Sequence, residues 1–230
     1  MRLRGVVFDL DGLLVDSERV QERAFNAVLA RHGVRLTEAD FTPLVGVSSR
    51  QNLEDLKALF PQIDESVDSL LARKDAAYVE LVRTGMDAMP GAQRLVRDLR
   101  ERGVAIAVAS SSPRPDVEGP LRAVGLLDDF PVIASAERVA VCKPAPDLYL
   151  LALRELGLPA DACVALEDAG PGVASAVAAG LRCVAVPNRH TRGHDFSPAS
   201  AVVASLEDVT PATLDGLLSV SQTVPRSCQV

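Results

Sequence analysis

Five short apolar runs recur along this chain, "GVVFD", "VAIAVASSS", "PVIAS", "ACVALED" and "RCVAVPN", each closing on polar residues. They are rich in β-branched residues and nearly continuous rather than alternating. Between the later ones lie stretches with helical spacing, such as Ala92 to Arg102, Asp147 to Leu156 and Pro171 to Ala179. Strands that are apolar on both faces belong in a parallel sheet covered on each side by helices. The pattern predicts a doubly wound α/β core.

One interval breaks the alternation. From Ser17 to Thr84 the apolar residues fall at helical spacing only: Val20, Ala24, Phe25, Val28 and Leu29, then Leu53, Leu56, Leu59 and Phe60, then Val67, Leu70, Leu71, Tyr78, Leu81 and Val82. This predicts an all-helical unit over residues 17–84, inserted after the first strand of a core formed by residues 1–16 and 85–218. Residues 219–230 have little periodicity and are expected to be loosely held.

In an open parallel sheet, ligands bind beyond the carboxyl ends of the strands. Those ends here carry Asp9 and Asp11, then Ser110, then Glu167 and Asp168, with Lys143 in "CKPAPDLY" before a helix. In extended backbone Asp9 and Asp11 share a face while Leu10 turns away. Two charges about 4 Å apart repel by about 4 kcal/mol at an effective dielectric of about 20. Either one acid is protonated or a cation is bound, and an oxygen-only ligand set suits Mg²⁺. Read alone, "DLDG" is equally a polar Asp-Gly turn. A calcium loop is excluded by Leu13 and Leu14, which stand where that motif needs a ligand and a glycine. Lys143 precedes Pro144, a residue suited to a helix start, and beside the acids it reads as a neutraliser of anionic substrate and nucleophile. Ser110 and neighbouring N–H groups suit phosphate oxygens at a helix start, with Ser112 as an N-cap.

Composition narrows the partners. The chain has 230 residues, 48% of them hydrophobic, and a formal net charge of -7. That charge argues against a nucleic-acid surface and favours a small substrate or a divalent cation. No apolar run reaches membrane-span length and no signal-peptide pattern opens the chain, so a cytoplasmic protein with no membrane partner is expected, as a monomer or small homo-oligomer. Cys142, Cys163, Cys183 and Cys228 lack CxxC or zinc spacing and read as reduced thiols. His32, His190 and His194 have no partner spacing and read as solvated or locally bonded.

Taken in order, "FDLDGLLVDSE", "ASSS", "KPAPDLY" and "EDAGPGVASAVAAG" resemble the four motifs of the haloacid dehalogenase superfamily, in its branch of phosphatases and β-phosphoglucomutase-like proteins. The resemblance spans Val6 to about Asn188. It implies a Rossmann-like core with a helical cap. It further implies Asp9 as the nucleophile that becomes an aspartyl-phosphate and Asp11 as the acid and base. Mg²⁺ would be held by Asp9, the backbone carbonyl of Asp11 and Asp168. Glu167 would stand behind or bridge through water, and Ser110 and Lys143 would hold the phosphoryl group. The resemblance thus implies a phosphatase acting on a small phosphorylated metabolite such as a sugar phosphate. Gln21, Arg50, Asn52 and Ser111 are the candidate substrate contacts.

Three other readings stand beside it. Haloacid dehalogenases lack the second acid, so Asp11 and Asp168 argue against that chemistry. β-Phosphoglucomutases resemble the chain through "GVS" at 46–48. They carry a Lys before that tripeptide and a His on the first cap helix, whereas Val45 and Gln21 stand here and the following Arg is displaced to Arg50. A phosphoacceptor signalling module would also use an acidic crevice, Mg²⁺, a hydroxyl and a Lys, but the motif order and the large helical insertion count against it. Cys142 replaces the Gly that many relatives carry before Lys-Pro.

Overall fold

The computed structural model describes residues 2–45 and 48–219. Gly46 and Val47 of the "GVS" tripeptide, Cys228, and all but Ser219 of the 219–230 tail lie outside the described residues. The elements run β1 (Gly5–Phe8), α1 (Ser17–Leu29), α2 (Glu38–Phe41), α3 (Ser49–Leu59), α4 (Val67–Gly85) and α5 (Ala92–Glu101). They continue with β2 (Ala105–Ala109), α6 (Arg114–Ala123), β3 (Val132–Ala134), α7 (Asp147–Leu156) and β4 (Cys163–Glu167). The chain closes with α8 (Gly170–Ala178), β5 (Arg182–Ala185), β6 (Ala201–Val202) and α9 (Pro211–Ser219).

All strand pairings are parallel, in the order β3-β2-β1-β4-β5-β6. The apolar runs are two-faced, as a covered parallel sheet requires. Val6, Phe8, Ile106, Val108, Val164, Leu166 and Val184 point to one face, where they meet Leu95 and Leu99 of α5, Val117 and Leu121 of α6 and Leu214 of α9. Val7, Ala107, Ala109, Cys163, Ala165 and Cys183 point to the other, against Leu148, Tyr149 and Ala152 of α7 and Val173 and Ala176 of α8. The small side chains of this second face let α7 and α8 approach closely. Burying a leucine or phenylalanine in such layers contributes roughly 1.5–3 kcal/mol each. Strand β6 is only two residues long, within the apolar stretch "AVVA" at 201–204 that the five runs do not include, so those runs account for five of the six strands.

The helical interval has a core of its own, in which Phe25, Val28 and Leu29 of α1 meet Phe41 of α2, Leu53 and Leu56 of α3 and Leu70 of α4. Side-chain caps start its helices: Asp16 for α1, Thr37 in a reciprocal capping box with Asp40 for α2, Ser48 for α3 and Ser66 for α4. This layer packs back on the core through Val20, Ala24, Tyr78 and Val82, which join the cluster beneath α6. No helix of the described residues is long and apolar enough to cross a membrane.

Strand order places the site. The chain leaves β1 for β2 and β3 on one side and later returns to β4 and β5 on the other, so the connections diverge at the carboxyl ends of β1 and β4. Such a switch point opens a crevice above the sheet.

Candidate active site

Register brings the strand-end acids together. Phe8 pairs with Leu166 across β1 and β4, and the N–H of Asp9 continues the ladder by donating to Leu166 O at 2.9 Å. Asp9 therefore lies beside Glu167 and Asp168. All three are buried, and each offers a carboxylate oxygen within 4.8 Å of the others. Pairing of Phe8 with Val108 sets Ser110, also buried, one residue beyond the end of β2 on the other flank.

Lys143 enters this cluster from the loop before α7. Its Nζ donates to Asp9 Oδ1, and to Glu167 Oε1 at 2.6 Å, and lies 5.2 Å from the centre of the Tyr149 ring. Helix α7 begins at Asp147, with Pro146 as its N-cap. The expectation that Lys143 sits at the helix start is thus corrected: three residues separate them, and the ammonium is held by carboxylates rather than set against the dipole. Tyr149 donates its hydroxyl to the same Glu167 oxygen at 2.5 Å. Behind Glu167 a glycine is required, because a Cβ on Gly172 would stand 2.0 Å from the carboxylate.

Asp11 faces another way. Its Oδ2 accepts from Ser112 Oγ at 3.3 Å, Ser17 bonds its carboxylate, and it lines a cavity of about 370 Å³ between the core and the helical layer. Ser112 is therefore not the N-cap expected of it. Pro113 holds that position without a side-chain bond, and the Ser112 hydroxyl is spent on Asp11 while its N–H donates to Ser110 Oγ at 3.1 Å. At Gly12 (φ 75°) a Cβ would collide with Asn188, Asp168 and Glu18 within 2.6 Å, so the turn after Asp11 admits only glycine.

Asp11, Glu167 and Asp168 resist ionisation. Burial, then the charge of Asp9, pushes Asp11 up to about 6. Burial pushes Glu167 up to about 7 against the pull of Lys143, and burial followed by Asp9 and Glu167 holds Asp168 well above the carboxylate range. Burial works against the Lys143 ammonium, but Asp9 and Glu167 outweigh it and raise its pKa. A cation among the three carboxylates would reverse the cost of their charges. A buried oxygen-only set of this kind fits a hard divalent ion.

Of the candidate substrate contacts, Gln21 and Asn52 line the cavity with Asp11. Asn52 donates Nδ2 to Leu44 O at 2.9 Å, whereas Gln21 Oε1 is a buried acceptor with no partner among the described residues. Arg50 and Ser111 are not brought there. Arg50 is exposed and pairs with Asp68 at 2.6 Å, and Ser111 is exposed beside the loop.

Three residues of the site were absent from the sequence reading. Lys74 of α4 is buried in the cavity wall, with Nζ donating to Ser49 Oγ at 3.0 Å and lying 5.3 Å from the Tyr78 ring centre. Its signal is present, since Leu70, Lys74, Tyr78 and Val82 recur every four residues and a lysine interrupts an apolar stripe. Asn188 donates Nδ2 to Asp168, Glu18 and Gly12 O at 2.9, 3.2 and 3.4 Å. It closes the run "RCVAVPN" and obeys the same strand-end rule as the acids. Glu18 is the third, in the first turn of α1. The histidines are locally bonded as expected: His32 to Asp64 and Glu65, His190 to Thr42 and Arg189, and His194 to the Gly170 N–H. Cys142, Cys163 and Cys183 are free thiols.

A family model described as haloacid dehalogenase-like hydrolase matches residues 3–180. Protein CbbY of Rhodobacter capsulatus is 37% identical over 213 residues, covering 86% of this chain and 92% of that protein. Hexitol phosphatase A of Escherichia coli (strain K12) is 35% identical over 211 residues, covering 91% and 94%. Among solved structures, a mutant of CbbY from Rhodobacter sphaeroides in complex with xylulose-(1,5)bisphosphate superposes with a TM-score of 0.78. It is 29% identical and covers 93% of this chain and 99% of that one.

Proposed function

The chain belongs to the haloacid dehalogenase-like hydrolases and is a phosphoric monoester hydrolase; on that premise we propose that it cleaves a small sugar or polyol phosphate with Mg²⁺, through an aspartyl-phosphate on Asp9. The observation that carries this reading is the placing of Asp9. Its carboxylate sits at the switch point of the sheet, against Lys143 and beside Glu167 and Asp168, while Asp11 two residues on opens to the cavity.

In this reading a carboxylate oxygen of Asp9 attacks phosphorus, and the bond from phosphorus to the ester oxygen breaks. Asp11, protonated at the outset, gives its proton to the departing alkoxide. The same carboxylate then takes a proton from water, the water oxygen attacks phosphorus, and Asp9 is released with inorganic phosphate. Lys143 and Ser110 hold the phosphoryl oxygens, so the transfer is mainly a matter of positioning and charge. Asp9, Asp168 and the backbone carbonyl of Asp11 would hold Mg²⁺, with Glu167 behind. The ion supplies charge neutralisation at the transferring phosphoryl group.

Residues 17–84 act in this scheme as a cap over the core of 1–16 and 85–218, and the roughly 370 Å³ between them suits a small metabolite. A cytoplasmic location belongs to the same reading. A mutase is not favoured, since Val45 and Gln21 stand where that branch carries Lys and His. The test is phosphorus NMR with Mg²⁺ and a panel of phosphomonoesters, including β-glucose 1-phosphate with a trace of the 1,6-bisphosphate. Growth of inorganic phosphate supports the phosphatase. Conversion to glucose 6-phosphate without it refutes the phosphatase in favour of the mutase.

A further inference from the structure

The cavity beside Asp11 has an unbalanced wall. Among its described lining residues Asp11, Glu18, Asp75 and Asp116 carry carboxyl groups, and Lys74 alone carries a cationic one. That ammonium is already engaged. It donates to Asp75 Oδ1 at 3.3 Å and to Ser49 Oγ at 3.0 Å, and it lies 5.5 and 5.3 Å from the ring centres of Phe25 and Tyr78. Arg50, a guanidinium on the same helical layer, is drawn off to Asp68 at 2.6 Å. Against this wall stands Gln21, whose buried Oε1 has no partner among the described residues. An amide turns to present either an acceptor or donors, so it matches a hydroxyl, which does both, and it brings no charge to a phosphate.

We propose that the site rejects a second phosphate, so that among small sugar and polyol phosphates it selects those whose leaving group is a neutral, hydroxyl-bearing chain. This names the substrate class of the site proposed above and rests on that reading. A dianion against Asp75 and Asp116 would meet two carboxylates, and Lys74, the cation among the described lining residues, already donates to Asp75 and Ser49. A hydroxyl there would satisfy Gln21 and the remaining N–H of Lys74. Rejection by unpaired charge and selection by a filled hydrogen bond act in the same direction.

The experiment compares sorbitol 6-phosphate with xylulose 1,5-bisphosphate, by phosphate release in Mg²⁺ and by calorimetric binding to Asp9→Asn. The expected result is at least about tenfold higher kcat/KM and tighter binding for the monophosphate, a ratio equivalent to about 1.4 kcal/mol. Gln21→Leu should raise KM for the monophosphate more than it lowers kcat. Asp75→Asn with Asp116→Asn, both at exposed positions and with the fold checked by circular dichroism, should move the ratio toward the bisphosphate by about threefold or more. Equal or preferential use and binding of the bisphosphate, or a ratio unmoved by the double substitution, overturns the proposal. Failure of p-nitrophenyl phosphate to turn over in Mg²⁺ would instead strike the phosphatase reading, and the binding comparison would still decide the monophosphate question.

Discussion

The side-chain amide of Asn188 donates to Asp168 Oδ2 at 2.9 Å, and its own Oδ1 accepts the N–H groups of His190 at 2.8 Å and Thr191 at 3.3 Å. The amide is therefore clamped from behind, with its donors aimed at the acidic cluster, and Asp168 is fixed in the orientation that faces Asp9. Such supporting bonds typically govern metal affinity by about 10–100-fold. Asn188→Ala should weaken apparent Mg²⁺ affinity by a factor in this range. A Mg²⁺ titration of activity, paired with calorimetry of Mg²⁺ on the free protein, checks it, and an unchanged affinity would remove Asn188 from this role.

Asp9→Asn keeps the size of the side chain and its contact with Lys143 but removes the nucleophilic oxygen. Turnover should drop by about three orders of magnitude or more, as when a nucleophile is lost from a unit that acts together. Circular dichroism and the melting temperature should stay near the parent's. Appreciable phosphate release by this variant would refute the assignment of Asp9.

Legibility of the site divides along the range of the interactions. Asp9, Asp11, Glu167 and Asp168 could be read because each ends a run whose apolar pattern already implies a strand, and strand ends converge by topology alone. Lys143 was legible as a partner of those acids, but not its setting, since the start of α7 at Asp147 depends on how the loop packs. The burial of Lys74 was legible from the apolar stripe it shares with Tyr78 on α4, but its place in the cavity wall was not, because that depends on contacts with Ser49 and Phe25 from other helices. Arg50 shows the converse. Sequence placed it beside "GVS", and a single contact with Asp68 from another helix carries it away from the cavity. Strand β6 escaped although "AVVA" at 201–204 is an apolar run, because only two of its residues pair with the sheet.

The pH dependence of the first chemical step should follow Asp11, which must be protonated to serve the leaving oxygen. Burial and then Asp9 push its carboxyl up to about 6, while the Ser112 hydroxyl, by bonding the ionised form, pulls it down. kcat/KM should accordingly fall on the alkaline side as Asp11 loses its proton. Ser112→Ala removes a bond that favours ionisation, so the limb should move to higher pH, by about half to one pH unit for a bond of about 1 kcal/mol. A limb that stays in place or moves to lower pH would show that another group controls the profile.

Glu18 sets a stability dependence of opposite character to that of an ordinary surface acid. Burial of its carboxyl, with Asp11 and Asp16 nearby, raises it from 4.5 to about 7 although Asn188 bonds it. A folded-state pKa above the unfolded one means that the folded protein holds a proton the unfolded chain gives up. The stabilising contribution is thus full below about 4.5 and is lost as pH rises through about 7. Glu18→Gln keeps an oxygen for the Asn188 amide and deletes the charge. In chelator, the variant should be more stable than the parent at pH 8, by about 1–2 kcal/mol after allowance for solvent screening. The gain should shrink toward zero at pH 5, where both side chains are neutral in the folded state. Melting curves of the two proteins at these two pH values decide it: a stabilisation independent of pH would mean that packing rather than charge at Glu18 is responsible.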